Sequence, residues 1–200
     1  FMIYLIIEFI DELVFGVGEA AWPLIRTDLH LNYAQIGLAL SLPGIIGNII
    51  EPFLFVLGDV WKRRAIILLG GILFILSLAL TSVSFSFAIL LLSFILFNPA
   101  SGSFVSLSQA SLMDSDPARH EQNMARWTFA GSLGVMFGPL LLGGLISFNF
   151  GWRPAYWILA SLSTLILFAA IRRVPKSQAS SGDFPFPRVY FESLRSAFST

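Results

Sequence analysis

The chain has 200 residues, of which 56% are hydrophobic and only 12% charged, with mean hydropathy +0.80. Soluble domains carry roughly 25% charged residues, so a soluble domain of this composition would lack polar surface to cover itself, and intrinsic disorder is excluded by the same balance. Lys+Arg and Asp+Glu stand at 12 each, leaving no basic field for nucleic acid, and without Cys there is no disulfide, thiol nucleophile or thiolate metal site.

This is the composition of an integral membrane protein, and its elements follow from length. A helix crosses the hydrocarbon core in about 20 residues. Six stretches qualify: 1–25, 33–57, 65–84, 86–112, 124–148 and 154–171. Strands of a membrane barrel would instead alternate over about ten residues, so the predicted fold is an all-α membrane protein with six transmembrane helices. The first stretch lacks the basic leader and uncharged core of a secretory signal. It reads as a chain beginning part-way into its first membrane helix, and therefore as a fragment.

Basic residues orient the predicted bundle. Lys62, Arg63 and Arg64 follow the second helix, Arg119 and Arg126 the fourth, and Arg172, Arg173 and Lys176 the sixth. The other loops hold only Arg26 and Arg153. Eight against two places both ends in the cytoplasm. Residues 1–172 then form the membrane unit and 173–200 the start of a central cytoplasmic loop. Within that loop, SQASSGDFPFP at 177–187 is a connector, and Phe191, Leu194 and Phe198 fall at the spacing of an amphipathic helix; the plain start of a longer loop is the other reading.

Charges inside a membrane helix are costly and need a reason. The first helix carries Glu8, Asp11, Glu12 and Glu19. With Glu8 as zero they sit at about 0°, −60°, +40° and +20°, and Trp22 joins them at about −40°. That face is expected to look into a protein-lined or wet cavity, where carboxylates can exchange protons or capture a cation. Glu8 and Asp11 are expected to be hydrated at the membrane interface, and Glu12 and Glu19 to lie deeper. Glu51, before Pro52 in the second helix, is either a cavity carboxylate or a partner for an Arg such as Arg126.

In the fourth helix Asn98, Ser101 and Gln109 share a face with Ser108 beside it. Such a stripe lines a solute path or supplies hydrogen bonds between helices. Small residues mark close helix approaches: Gly37, Ser41, Gly44 and Gly47 in the second helix, and Gly131, Gly134 and Gly138 in the fifth.

Three stretches resemble the major facilitator superfamily of secondary transporters. LGDVWKRRAII at 57–67 looks like its motif A, with Asp59, Arg63 and Arg64 matching and Phe55, Val60 and Lys62 departing. GSLGVMFGPLLLGGL at 131–145 is similar to the antiporter motif C through Gly134, Gly138, Pro139 and Gly143, its final glycine pair displaced by one. FGWRPAYWI at 150–158 resembles the entry into the sixth helix, through Gly151, Trp152, Arg153 and Tyr156, aromatics suited to a membrane interface. The proton-coupling motif B of drug exporters is only partly present: in NPASG at 98–102, Asn98 replaces its Arg, Ser101 its Gln, and Gly102 matches.

The resemblance implies the N-terminal half of a twelve-helix bundle, whose C-terminal half is the missing partner. It also implies transport of a small solute by alternating access, coupled to protons, with export or antiport the first direction and an uptake permease the alternative. A non-transporting membrane receptor is the alternative of another class. Glu12, Glu19, Glu51, Asn98, Ser101 and Gln109 are the candidates for the substrate and proton cavity. Asp59, Arg63 and Arg64 are the candidates for a cytoplasmic latch, and Gly134, Gly138, Pro139 and Gly143 for helix packing. No cofactor, metal or nucleic acid is expected, and the default location is a bacterial inner membrane. An intramembrane enzyme is not expected, because His30 and His120 are the only histidines and both fall in loops.

Overall fold

The computed structural model describes residues 2–60 and 63–173, without the side chains of Asp59 and Val60. Six helical rods follow one another: α1 Met2–Asp28, α2 Tyr33–Val60, α3 Arg63–Ser82, α4 Phe87–Ser115, α5 His120–Ser147 and α6 Arg153–Arg173. Among the described residues there is no strand. The connector at 177–187 and the apolar stripe of Phe191, Leu194 and Phe198 lie outside the described residues.

Rods α2 to α6 are each long and apolar enough to cross a membrane. α1 matches them in length at 27 residues but carries Glu8, Asp11, Glu12 and Glu19 along its middle. Its buried face is apolar as well as acidic, with Ile7, Val17, Ala21 and Ile25 fully enclosed.

Local chemistry explains where the rods stop. After α1, His30 takes a left-handed conformation (φ 51°), and the Leu31 amide reaches back to the Arg26 carbonyl at 3.0 Å. After α5, Asn149 does the same (φ 60°), with the Phe150 amide bonded to the Leu145 carbonyl at 2.9 Å. Both closures satisfy carbonyls that a helix end leaves without partners. α2 opens on a reciprocal cap: the Gln35 amide donates to Asn32 Oδ1 at 2.8 Å and the Asn32 amide to Gln35 Oε1 at 3.0 Å.

α4 is not a uniform α-helix. Pro99 removes a backbone donor, and Gly102–Ser106 form a π-helical turn before α-geometry resumes at Leu107. Across it, α3 comes close enough that a methyl group on Gly70 would stand 2.8 Å from the Phe104 amide nitrogen. Phe74 packs there on Phe97 and Phe104, with centroids 5.1 and 5.8 Å away, and all three rings are buried in the core.

α1 and α5 form the closest pair. A methyl group on Gly138 would lie 2.5 Å from the Gly16 carbonyl carbon and from the Val17 amide nitrogen. One on Gly134 would collide with the Phe9 carbonyl oxygen, and one on Gly131 would stand 2.7 Å from Glu8 Oε1. Glycine at these spacings lets the backbones touch. By contrast Gly37, Gly44 and Gly143 face open space, and of the α2 glycines before Glu51 only Gly47 meets a neighbour, Asn98 of α4.

Polar contacts tie the two ends of the bundle. At one end Arg63 Nη1 pairs with Asp114 Oδ2 at 2.5 Å, and Arg64 Nη2 donates to the Ile171 carbonyl at 2.5 Å. At the other, Arg153 bridges Asp28 Oδ2 at 2.5 Å and the Ser84 carbonyl at 2.8 Å. The basic loops therefore gather at one end, as the alternating chain direction requires.

Candidate functional site

Helix spacing brings Phe15, Glu19 and Trp22 onto one face of α1. Opposite them stand Phe94, Phe97 and Asn98 of α4, with Pro43 of α2 and Tyr156 of α6 closing the sides. Between these groups lies a cavity of about 270 Å³. Phe15 packs edge-to-face on Phe97 at 5.4 Å, and Trp22 on Phe94 at 5.8 Å. Glu19 is the carboxylate on its wall, and Asn98 and Tyr156 add polar atoms.

Further along α1 a second group forms around the π-turn of α4. The Ser101 hydroxyl donates to Asp11 Oδ1 at 2.9 Å, with both side chains buried. Glu12 of α1 and Glu51 of α2 lie within electrostatic reach of Asp11. Glu51 is seated against Gly102, where a methyl group would come within 2.8 Å of its carboxyl carbon. Glu8 turns the other way, onto Gly131 of α5. Three carboxylates from two helices, Asp11, Glu12 and Glu51, thus share this region, and the absent side chain of Gly102 leaves room for Glu51.

One expectation from sequence needs correction here. Glu8 and Asp11 are not hydrated at an interface: they are 8% and 6% exposed. Their depth follows from the glycines of α5 and from Ser101, which draw α1 against both neighbours. Trp152 and Tyr156, whose rings suit a membrane interface, are enclosed by the bundle. They are 3% and 2% exposed and pack edge-to-face on each other at 5.8 Å, because Arg153 anchors the start of α6 between α1 and the α3–α4 turn.

The remaining candidates separate in space. Glu19 and Asn98 line the cavity, while Glu12, Glu51 and Ser101 belong to the carboxylate group. Gln109 lies beyond both, its Nε2 3.5 Å from Met124 Sδ on α5. Of the latch candidates, Arg63 and Arg64 bind the ends of α4 and α6, and the side chain of Asp59 lies outside the described residues. Gly134 and Gly138 hold the α1–α5 contact, whereas Pro139 and Gly143 are exposed.

Sequence reasoning passed over the aromatic box and the π-turn. Phe15 and Trp22 carried the first signal, at three- and four-residue steps from Glu19. Pro99 and Gly102, three apart in a serine-rich stretch, carried the second.

A small-solute cavity beside intramembrane carboxylates, in a bundle of apolar rods, is the arrangement of a multi-pass membrane transporter. The family model described as Major Facilitator Superfamily matches residues 4–199, and the chain belongs to that superfamily of membrane transporters.

Proposed function

We propose that this chain acts as the N-terminal half of a secondary active transporter, carrying a small solute by alternating access against a C-terminal half, with protons as the coupling ion. The observation that carries the reading is the grouping of Asp11, Glu12 and Glu51 at the Ser101–Gly102 seam, next to a cavity holding Glu19 and Asn98. Ionisable groups buried at membrane depth are expensive and mark ion pathways. A carboxyl that already accepts a hydroxyl hydrogen bond can take up a proton without losing its partner.

In this reading Glu12, Glu19, Glu51, Asn98, Ser101 and Gln109 mark the solute and proton path. Asp59, Arg63 and Arg64 form a latch at the basic end, which faces the cytoplasm. Gly134 and Gly138 belong to the face on which α1 and α5 meet, and Pro139 and Gly143 of the same motif lie on the open side of α5. The GP pair at Gly138 and Pro139 favours export by antiport. Asn98, standing where drug exporters of the family place an Arg, argues against the usual drug–proton exporter, and an uptake permease of the same fold is the alternative.

The test is solute flux by the full-length protein in proteoliposomes under an imposed pH gradient. Asp11→Asn and Glu19→Gln are measured beside wild type. Proton-driven flux that disappears in Asp11→Asn is expected. Flux insensitive to pH and to both substitutions would remove the coupling role of these carboxylates.

A further inference from the structure

The cavity beside Glu19 has a composition that selects its ligand. Its wall carries one carboxylate, four aromatic rings from α1 and α4 (Phe15, Trp22, Phe94 and Phe97) and the phenol of Tyr156 from α6. Among the described residues that line it there is no Lys, Arg or His. The cations with defined partners at Arg63, Arg64 and Arg153 are held at the two ends of the bundle.

From this wall we infer that the cavity binds a small organic cation, its charged nitrogen placed between the Glu19 carboxylate and the ring face of Trp22; the inference deepens the transport reading above and rests on it. Glu19 and Trp22 stand three residues apart on α1, so their side chains are neighbours on one face. A cation within about 6 Å of an indole ring is attracted by the ring quadrupole, and a carboxylate beside it supplies the counter-charge. In an edge-to-face pair, one ring keeps both faces free of its partner. The pairs Phe15–Phe97 and Trp22–Phe94 therefore offer apolar faces for the alkyl groups around the nitrogen.

Other ligand classes fit the wall poorly. An anion would meet Glu19 with no lining cation to offset it. A sugar needs many hydrogen-bonding partners, and the wall offers few. The Thr81 hydroxyl is engaged with the Ser77 carbonyl and Ser93 at 2.9 Å each. Asn98 and Tyr156 remain as neutral polar groups among apolar ones. At about 270 Å³ the space is close to the lower end of small-molecule sites, which suits a compact ammonium compound.

The experiment is equilibrium binding of radiolabelled tetraethylammonium to the full-length protein in detergent. Benzyltrimethylammonium, a neutral sugar and a small carboxylate serve as competitors. Saturable binding displaced by the ammonium compound alone is expected. Glu19→Gln and Trp22→Ala should each weaken it by about tenfold or more, with Glu19→Asp and Trp22→Phe falling between these variants and wild type. The conservative pair separates loss of charge or ring from loss of fold. Absence of saturable ammonium binding in wild type, or equal binding by wild type, Glu19→Gln and Trp22→Ala, would overturn the inference. Cation binding without proton-driven flux would uphold it and overturn the transport reading. Proton-driven flux of a sugar or carboxylate without cation binding would do the reverse.

Discussion

The Ser101 hydroxyl of α4 donates a 2.9 Å hydrogen bond to Asp11 of α1, across 90 residues of chain and with both groups buried. This bond joins the most acidic helix to the turn where α4 departs from α-geometry. Asp11→Asn keeps an oxygen for Ser101 to reach, so we expect thermal unfolding in detergent to move by less than about 1 kcal/mol. Proton-driven flux should be lost all the same. Ser101→Ala should cost roughly 1–3 kcal/mol, because it leaves a buried carboxyl without its donor.

The α1–α5 contact predicts opposite results at two glycines of one helix. Gly138→Ala sets a methyl group against backbone atoms of Gly16 and Val17 at 2.5 Å, and backbone cannot swing away. Overpacking of this kind costs roughly 1–3 kcal/mol, and α1 would be pushed from α5. Gly143→Ala, facing open space, should change stability by no more than about 0.5 kcal/mol. Melting curves of the two variants, purified alike, decide it.

Arg153 holds three helix ends through Asp28 and the Ser84 carbonyl, and its guanidinium also lies 4.5 Å from the Trp152 ring. Arg153→Lys keeps the charge but loses the fork that reaches two acceptors at once. We expect about 1 kcal/mol lower stability in Arg153→Lys, and a larger loss in Arg153→Ala, where the stacking goes as well. Equal melting temperatures for wild type and Arg153→Ala would contradict this anchor.

At the basic end, Arg63 and Asp114 form an ion pair that is partly open to solvent. Such pairs contribute about 0–1 kcal/mol to stability, so their effect is expected on cycling. Arg63→Glu should slow flux with little change in solute affinity, and adding Asp114→Arg should restore the rate. Asp59→Asn is expected to behave like Arg63→Glu. Initial rates compared with equilibrium binding separate the two effects. Lost binding with a normal rate would refute the latch.

Much of this protein was legible as a sequence. Uninterrupted apolar stretches of about 20 residues have one solution in a bilayer, because helices satisfy their own backbone where no water can. Six rods, their alternation and the gathering of basic residues at one end follow from that. The carboxylate face of α1 was legible too, since 100° per residue is a local rule. So was the close contact at Gly134 and Gly138, because their spacing repeats along one side of a helix.

Tertiary structure decided what helical periodicity cannot express, namely which neighbour each face meets. Asp11 and Glu8 are buried because Ser101 and Gly131 happen to face them. Leu142, not Gly143, continues the spacing of Gly134 and Gly138 and is buried, while Gly143, about 140° round the helix from Gly138, is open. Trp152 and Tyr156 turned inward because Arg153 is tied to residues 125 and 69 positions away. The split of the acidic face, with Glu19 toward an aromatic cavity and Asp11 toward a serine, arises from the packing of α1 against three other helices. Only the assembled bundle sets those azimuths, since each depends on contacts between residues far apart in the chain.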